Sequence, residues 1–506
     1  MHKVLNGKQD GLAVAAPEPR DYTTTLVAIV LTGLVARLAL LIHGAPFYDD
    51  AFITFRFAAN LANGNGLFWI PGEKMLETST PLYACVLAFL GKLFGTIHIP
   101  YLAIALGLLS YVGACVLLQR IARGIGFNAI ETSLLYLLFC FQPNIVLASV
   151  DGMETGFLLF LMLLAVHLWI QGSEGLAGIG CALLIATRVD AIAWVGTLFL
   201  AFIIAKRALP WRAIVAFSTG VAIWIAVAIY AWGGFIPLTT RVKPLAFPVR
   251  GSFVVRLFSV LDAYFRFGNR MALIVIVLPF AVGAWVAYKR RSIAGGAIVF
   301  YILGSAVALA AARAPIFPWY IVPVNLAMIF VEILGWGWLL SKVRIPHIAA
   351  LLVFFLLLGV WLVRDYYDSW RVLQAPANLQ VGLWLQRHAR PDSTVFTEPA
   401  GWIGYYCNCR LRDSTGIVNP EMVHYWSRLG GRERWFSTAL RESVPDYVVL
   451  RQHEYTTGIL FSSEHAPLFA TESDKQWFQE SYRMVFIADS PVPTQTQDTF
   501  FIFQRK

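Results

Sequence analysis

Phe47-Tyr48-Asp49-Asp50-Ala51-Phe52-Ile53-Thr54-Phe55-Arg56 places two adjacent carboxylates directly after a long apolar run, Thr24 to His43. A charge at mid-membrane costs roughly 2.5–3.5 kcal/mol on insertion scales, so acids near that depth face water, a partner or a reaction. Two like charges side by side push one pKa upward, which suits a general base. The same pair equally suits N-capping of a helix over Ala51–Leu61, or the holding of a cation.

Other polar residues stand out in the same way. Asp151-Gly152-Met153-Glu154 and Thr187-Arg188-Val189-Asp190 interrupt apolar sequence, and Arg37 lies inside the first apolar run, two helical turns before its outer end. Arg37 either snorkels to the interface or meets an anionic headgroup. Arg241, Lys243, Arg250 and Arg313 add positive charge of the kind that steadies a phosphate leaving group. Asn63-Gly64-Asn65-Gly66 and Ile70-Pro71-Gly72-Glu73 mark turns, and Glu77-Thr78-Ser79-Thr80-Pro81-Leu82 follows them. His43, His98 and His167 show no metal-ligand spacing.

The elements that must position these residues are membrane helices. The chain has 506 residues, 58% of them hydrophobic and 14% charged, against about 25% charged in a soluble domain. The formal net charge of +10 comes from basic residues in short loops between apolar runs. That is the positive-inside pattern, and nucleic-acid binding is set aside. Apolar runs near 24–43, 100–119, 129–148, 155–171, 176–187, 191–205, 211–231, 271–288, 293–312, 317–339 and 346–363 predict about eleven spans of roughly 20 residues.

Residues 81–94 are apolar but short, with Pro81 placed to start a helix. If this segment lies along the outer interface, the basic clusters around Arg20, Arg120, Lys206, Lys289 and Lys342 all fall inside. The first loop (44–99), Glu154, Arg188, Asp190, Lys243, Arg313 and the C-terminal region then share the outer side. The runs flanking Arg188 and Asp190 hold 12 and 15 residues. Each reaches only roughly 18–23 Å, so this pair is expected at a break sunk below the surface and lining a cavity, or as a mutual ion pair closing a helix turn.

After about Arg364 polar residues, Pro and Asp become common. Thr394–Thr397, Tyr447–Leu450, Met484–Ala488 and Thr499–Phe503 read as strands, and Gln380–His388 and Glu433–Arg441 as helices. The predicted organisation is a helical membrane domain, 1–364, and a soluble α/β domain, 365–506. Cys85, Cys115, Cys140 and Cys181 read as small buried hydrophobes, and Cys407-Asn408-Cys409 as a structural pair too closely spaced for a comfortable disulfide. Met1 to Tyr22 reads as a polar cytoplasmic tail without a signal peptide. An enzyme acting on a lipid-linked phosphate and a transporter or flippase both fit so far; the large outward domain leans towards the enzyme.

Several stretches, in order and spacing over roughly residues 30–330, resemble the bacterial GT-C glycosyltransferase group that includes mycobacterial arabinofuranosyltransferase B. They are Asp49 to Ala58, Asn60-Leu61-Ala62, Gly64-Asn65-Gly66, Pro71-Gly72-Glu73 and Thr78 to Tyr83. Downstream, Gly152-Met153-Glu154-Thr155 is similar to the group's Gly-(Leu/Met)-Glu-Thr, Thr187-Arg188-Val189-Asp190 to its Thr-Arg-Pro-Asp, and Ile236-Pro237 through Lys243 to its Leu-Pro-Asn-Thr…Lys segment. Val381 to Leu385 and Glu398 to Gly401 are similar to its exported C-terminal domain.

The resemblance implies a GT-C membrane enzyme of the bacterial cytoplasmic membrane, using a polyprenyl-phosphate-linked sugar on the extracytoplasmic face and inverting the anomeric centre. Asp49 or Asp50 would be the base, with Asp49 narrowly favoured. Arg188, Lys243, Arg37 and Arg313 would face the phosphate, and Glu154, Asp190, Arg56 and Tyr320 the substrate. No cofactor is required, and a divalent cation at Asp49/Asp50 is not expected. Partners would be the donor lipid, an envelope glycan, lipid or protein acceptor, and membrane lipids. Val189, Ala191 and Leu238 replace the group's Pro, Gly and Asn, departures that bear on which sugar is used.

Overall fold

The computed structural model describes residues 23–43, 47–72, 75–247, 249, 251–266, 276–313, 315–342, 376–419, 421–422, 425, 434–460, 466–489 and 499–506. The N-terminal tail, Arg250, the apolar run 346–363 and the expected domain boundary at 364 lie outside them.

The described residues between 23 and 341 are mostly helical. Among the described residues, six helices are long and apolar enough to cross a membrane: Thr23–Ile42, Thr96–Ile125, Val189–Lys206, Trp211–Trp232, Ile293–Ala312 and Pro318–Ser341. The eleven-span expectation is therefore not reproduced among the described residues. The run 129–148 divides at Gln142-Pro143 into Ala129–Phe141 and Pro143–Ala148, because proline removes a backbone donor and clashes with the preceding turn. Thr155–Ile170 and Glu174–Thr187 are apolar helices of 16 and 14 residues, and only Leu278–Lys289 of the run 271–288 has α-helical form among the described residues.

Local sequence sets many boundaries. Gly126, at φ 79°, ends the helix Ile99–Ile125, and Asn128 with Glu131 forms a capping box that starts the next. Small residues permit close crossings, as in membrane bundles generally. A Cβ at Gly283 or Gly335 would collide with a carbonyl oxygen of the facing helix, Val331 or Pro279. Pro81–Phe94, with Pro81 at its start, packs on the first-loop helix Asp49–Ala62.

The C-terminal region holds a five-stranded sheet, β1 Thr394–Thr397, β2 Arg410–Asp413, β3 Tyr447–Arg451, β4 Tyr482–Ala488 and β5 Phe500–Arg505, in the order β2-β1-β3-β5-β4. β1 is parallel to β2 and β3, while β5 is antiparallel to β3 and β4. Helices Pro376–His388, Trp435–Ser443 and Glu472–Ser481 flank it. Four strands match the periodicity. β2 does not announce itself, since Arg410-Leu411-Arg412-Asp413 carries three charges and sits at a sheet edge.

The two parts share one hydrophobic core. Phe57, Leu67, Trp69 and Ala84 of the first-loop region are buried with Val381, Ile403, Leu411 and Val418 of the C-terminal region. The Cys407/Cys409 expectation is corrected: the pair is a disulfide. Asn408 takes a left-handed φ of 48°, and the resulting tight reversal brings the two Cα atoms to 5.2 Å, within bonding range.

Candidate active site

The first-loop helix Asp49–Ala62 presents different faces to different partners. Helical geometry turns about 100° per residue, so neighbouring aspartates point apart. Asp50, Ile53 and Thr54 line a cavity of about 390 Å³. Asp49 points to the C-terminal region, where its carboxylate accepts from the backbone N–H of Gly401 (2.8 Å) and Trp402 (3.0 Å) and from Asn378 Nδ2 (3.3 Å).

Two cations line the cavity with Asp50. Lys243 Nζ lies 3.8 Å from Asp50 Oδ2 and 4.8, 5.4 and 5.7 Å from the ring centres of Phe317, Trp319 and Tyr320. Its helix Leu238–Ala246 is anchored where Leu238 N donates to the carbonyl of Leu76 in the first loop (2.8 Å). Arg188 sits at a break between Glu174–Thr187 and Ile192–Lys206, filled by a short 3-10 turn Val189–Ala191. Its guanidinium donates from Nη1 to Glu154 Oε1 (2.6 Å) and from Nε and Nη2 to the two oxygens of Asp190 (2.9 and 2.7 Å). It also lies 5.0 Å from the ring centre of Tyr320.

Glu154 is held by the turn before it. Gly152 has φ 79°, and a Cβ there would strike Phe47 and Phe55, so glycine is needed. Met153 N donates to Asp151 Oδ1 (2.8 Å), and Tyr83 Oη donates to the Gly152 carbonyl (3.1 Å). The turn is thereby fastened to the helix Pro81–Phe94, with Glu154 lining the cavity.

Burial is the main cause that raises the Asp49 carboxyl to about 6; the Trp402 and Gly401 amides oppose it, and the charges of Asp50 and Glu398 add to it. Asp50 is also raised, first by burial and further by Glu398, while Lys243 works in the opposite direction. An acid so placed is held nearer the working range of a general base than an ordinary aspartate.

The structure brings Asp50, Glu154, Arg188, Asp190, Lys243 and Tyr320 to one cavity. Four sequence-predicted residues lie elsewhere. Asp49 is engaged with the C-terminal region, as described. Arg37 is fully buried, donating to Ser149 Oγ (2.7 Å) and to the carbonyls of Gly33 and Cys140 (2.9 Å each), with its guanidinium 3.7 Å from the Tyr111 ring centre; it ties helices together away from the cavity. Arg56 donates to the carbonyls of Trp69 (3.2 Å), Gly404 (2.6 Å) and Cys409 (2.9 Å), joining the first loop to the C-terminal region. Arg313 is exposed and does not line the cavity.

Residues not singled out for the site also line it. Glu77 is 1% exposed and accepts from the Trp69 amide at 3.1 Å. The polar run Glu77-Thr78-Ser79-Thr80 before Pro81 was its signal in sequence. Ile417 reaches the same cavity from the C-terminal region and carries no sequence signal. Among the described residues, no three His, Cys, Asp or Glu side chains gather as a metal site requires.

This architecture is similar to that of ArnT from Cupriavidus metallidurans, solved bound to undecaprenyl phosphate. The two superpose with a TM-score of 0.59 at 12% identity, over 95% of this chain and 98% of that one. The fold is GT-C. Mycobacterial arabinofuranosyltransferase AftD also matches, with TM-scores of 0.46 and 0.44 in two classes at 15% and 14% identity; 95% of this chain is covered but only 41% of the AftD chain. Residues 366–503 match a family described as a domain of unknown function (DUF8728). No curated protein matches the sequence. This GT-C chain is thus a multi-pass membrane protein carrying a C-terminal α/β region.

Proposed function

We propose that the chain is an inverting glycosyltransferase that takes a sugar from a polyprenyl-phosphate donor and delivers it to a cell-envelope acceptor on the extracytoplasmic face of the bacterial cytoplasmic membrane. The observation that carries this reading is the gathering of Asp50, Lys243 and Arg188 around one cavity, with Lys243 Nζ 3.8 Å from the Asp50 carboxylate. The Asp50 carboxylate takes the proton of the acceptor hydroxyl as its oxygen attacks the anomeric carbon. The bond from that carbon to the phosphate oxygen breaks, and its electron pair leaves with polyprenyl phosphate. Lys243 and Arg188 steady the charge that grows there. Because these cations hold a monophosphate, the step calls for no metal.

Two further features support the reading. Leu158, Met162, Trp194, Leu309 and Val324 give the cavity an apolar side that suits a prenyl chain, and a neighbour of the same fold was solved with undecaprenyl phosphate. Glu154 and Asp190, already engaged by Arg188, shape the acceptor side. The charge pattern of the loops supports an outward-facing site, as does a disulfide in the attached region, because disulfides persist in oxidising compartments.

The test is release of polyprenyl phosphate by purified protein from a panel of polyprenyl-phospho-sugars, with membrane extract as acceptor. Asp50→Asn is expected to lose about 10²–10⁴-fold in turnover, with donor binding retained. Turnover equal to wild type in that variant would remove Asp50 as base. Passage of uncleaved donor across vesicles without release would replace the transferase reading with a flippase.

A further inference from the structure

The first aspartate of the pair, the one that does not face the cavity, has a use of its own. Asp49, Phe52 and Arg56 follow a spacing of three and then four residues, which places them on one stripe of their helix. All three meet the same short segment of the C-terminal region. Asp49 accepts from the amides of Gly401 and Trp402. Phe52 stacks on Trp402 with ring centres 3.8 Å apart at 29°. Arg56 donates to the carbonyls of Gly404 and Cys409.

The fit is close. A Cβ on Gly401 would collide with the backbone carbonyl oxygen of Asp49 and press on its carboxylate. Tyr405 Oη donates to the Thr96 carbonyl (3.2 Å), fixing the far side of the segment to the turn after Pro81–Phe94. The helix is therefore gripped at both ends of the stripe, two turns apart. About 100° around its axis, Asp50 projects into the cavity. Rotation of the helix would carry Asp50 away from Lys243, and the grip opposes it.

We infer that Asp49 and Arg56 are positioning residues through which residues 400–409 of the C-terminal region hold Asp50 at the cavity. The chain would thus carry in cis the part that completes its own site. This rests on the assignment of Asp50 as base, but its structural half is measurable without any substrate.

The experiment uses the full-length protein in micelles, comparing wild type with Asp49→Ala, Asp49→Asn and Arg56→Lys. Amide hydrogen exchange is read for peptides covering 49–62 and 398–409, with peptides from β3 and β5 as an internal control for folding. Asp49→Ala strips both amides of their acceptor; exchange in the two peptides is expected to rise at least ten-fold while the control strands keep their protection. Asp49→Asn retains one acceptor oxygen and should fall between wild type and Asp49→Ala. Arg56→Lys loses the fork that reaches two carbonyls and should expose residues 404–409 more than residues 400–402.

With an active donor in hand, each variant is expected to lower kcat at least ten-fold with less than a three-fold change in donor KM. The pH profile should keep its single acid limb, because Asp50 itself is retained. Unchanged exchange in Asp49→Ala overturns the inference whatever the activity does. Raised exchange with kcat at the wild-type level overturns the positioning role. Raised exchange in a protein whose Asp50→Asn variant is fully active overturns the base assignment instead, so the two failures are separable.

Discussion

Removing the guanidinium of Arg188 isolates the strongest electrostatic contact of the site. Arg188 bridges two carboxylates in unlike surroundings: the Glu154 side chain is 1% exposed and that of Asp190 61%, with Arg188 itself at 8%. An exposed ion pair contributes about 0.2–1 kcal/mol, whereas breaking a buried one costs about 3–5 kcal/mol because a charge is stranded. Arg188→Ala is therefore expected to destabilise the folded chain by about 3–5 kcal/mol, nearly all through Glu154. Asp190→Asn should cost less than about 1 kcal/mol. Neutralising the stranded acid in the double variant Arg188→Ala/Glu154→Gln should recover at least half of the loss, leaving about 1 kcal/mol for the missing hydrogen bonds. The assay is denaturant unfolding in micelles of wild type, the single variants and the double variant, read as a double-mutant cycle. Equal costs for Asp190→Asn and Arg188→Ala, or no recovery on adding Glu154→Gln, would refute the reasoning.

Other expected outcomes follow from the same geometry. The acid limb of the kcat/KM profile should lie above the ordinary aspartate range, since burial raises Asp50. Lys243→Met removes the charge that opposes that rise and should move the limb to still higher pH; a downward move would contradict the pairing. Gly401→Ala forces a Cβ into the Asp49 carbonyl and should destabilise the docking of the C-terminal region by about 1–3 kcal/mol, seen as faster proteolysis between the two parts with the sheet itself resistant. Denatured, unreduced protein should show four titratable thiols, Cys85, Cys115, Cys140 and Cys181, and two more after reduction; six before reduction would exclude the Cys407–Cys409 bond.

Much of this molecule was legible in one dimension. Hydropathy and loop charge mark a polytopic helical protein with a less apolar α/β end, because a membrane demands long apolar runs. Thr394–Thr397 reads as a strand by its β-branched and aromatic residues. Glu154, Arg188, Asp190 and Lys243 stood out because charges interrupting apolar sequence must be accommodated somewhere, and a shared cavity is where they meet. Tertiary structure decided the rest. Which aspartate faces the cavity depends on the rotation of the first-loop helix, and that rotation is set by Gly401, Trp402 and the carbonyl of Cys409, about 350 residues further along the chain. Arg37 and Arg56 look like phosphate or substrate ligands in sequence, yet Nε and Nη1 of Arg37 and all three nitrogens of Arg56 donate to carbonyls and a hydroxyl, most of which only packing brings near. Ile417 joins the cavity by the same route. A residue's type limits the chemistry it can do, but which groups lie within 3 Å of it is a property of the folded chain.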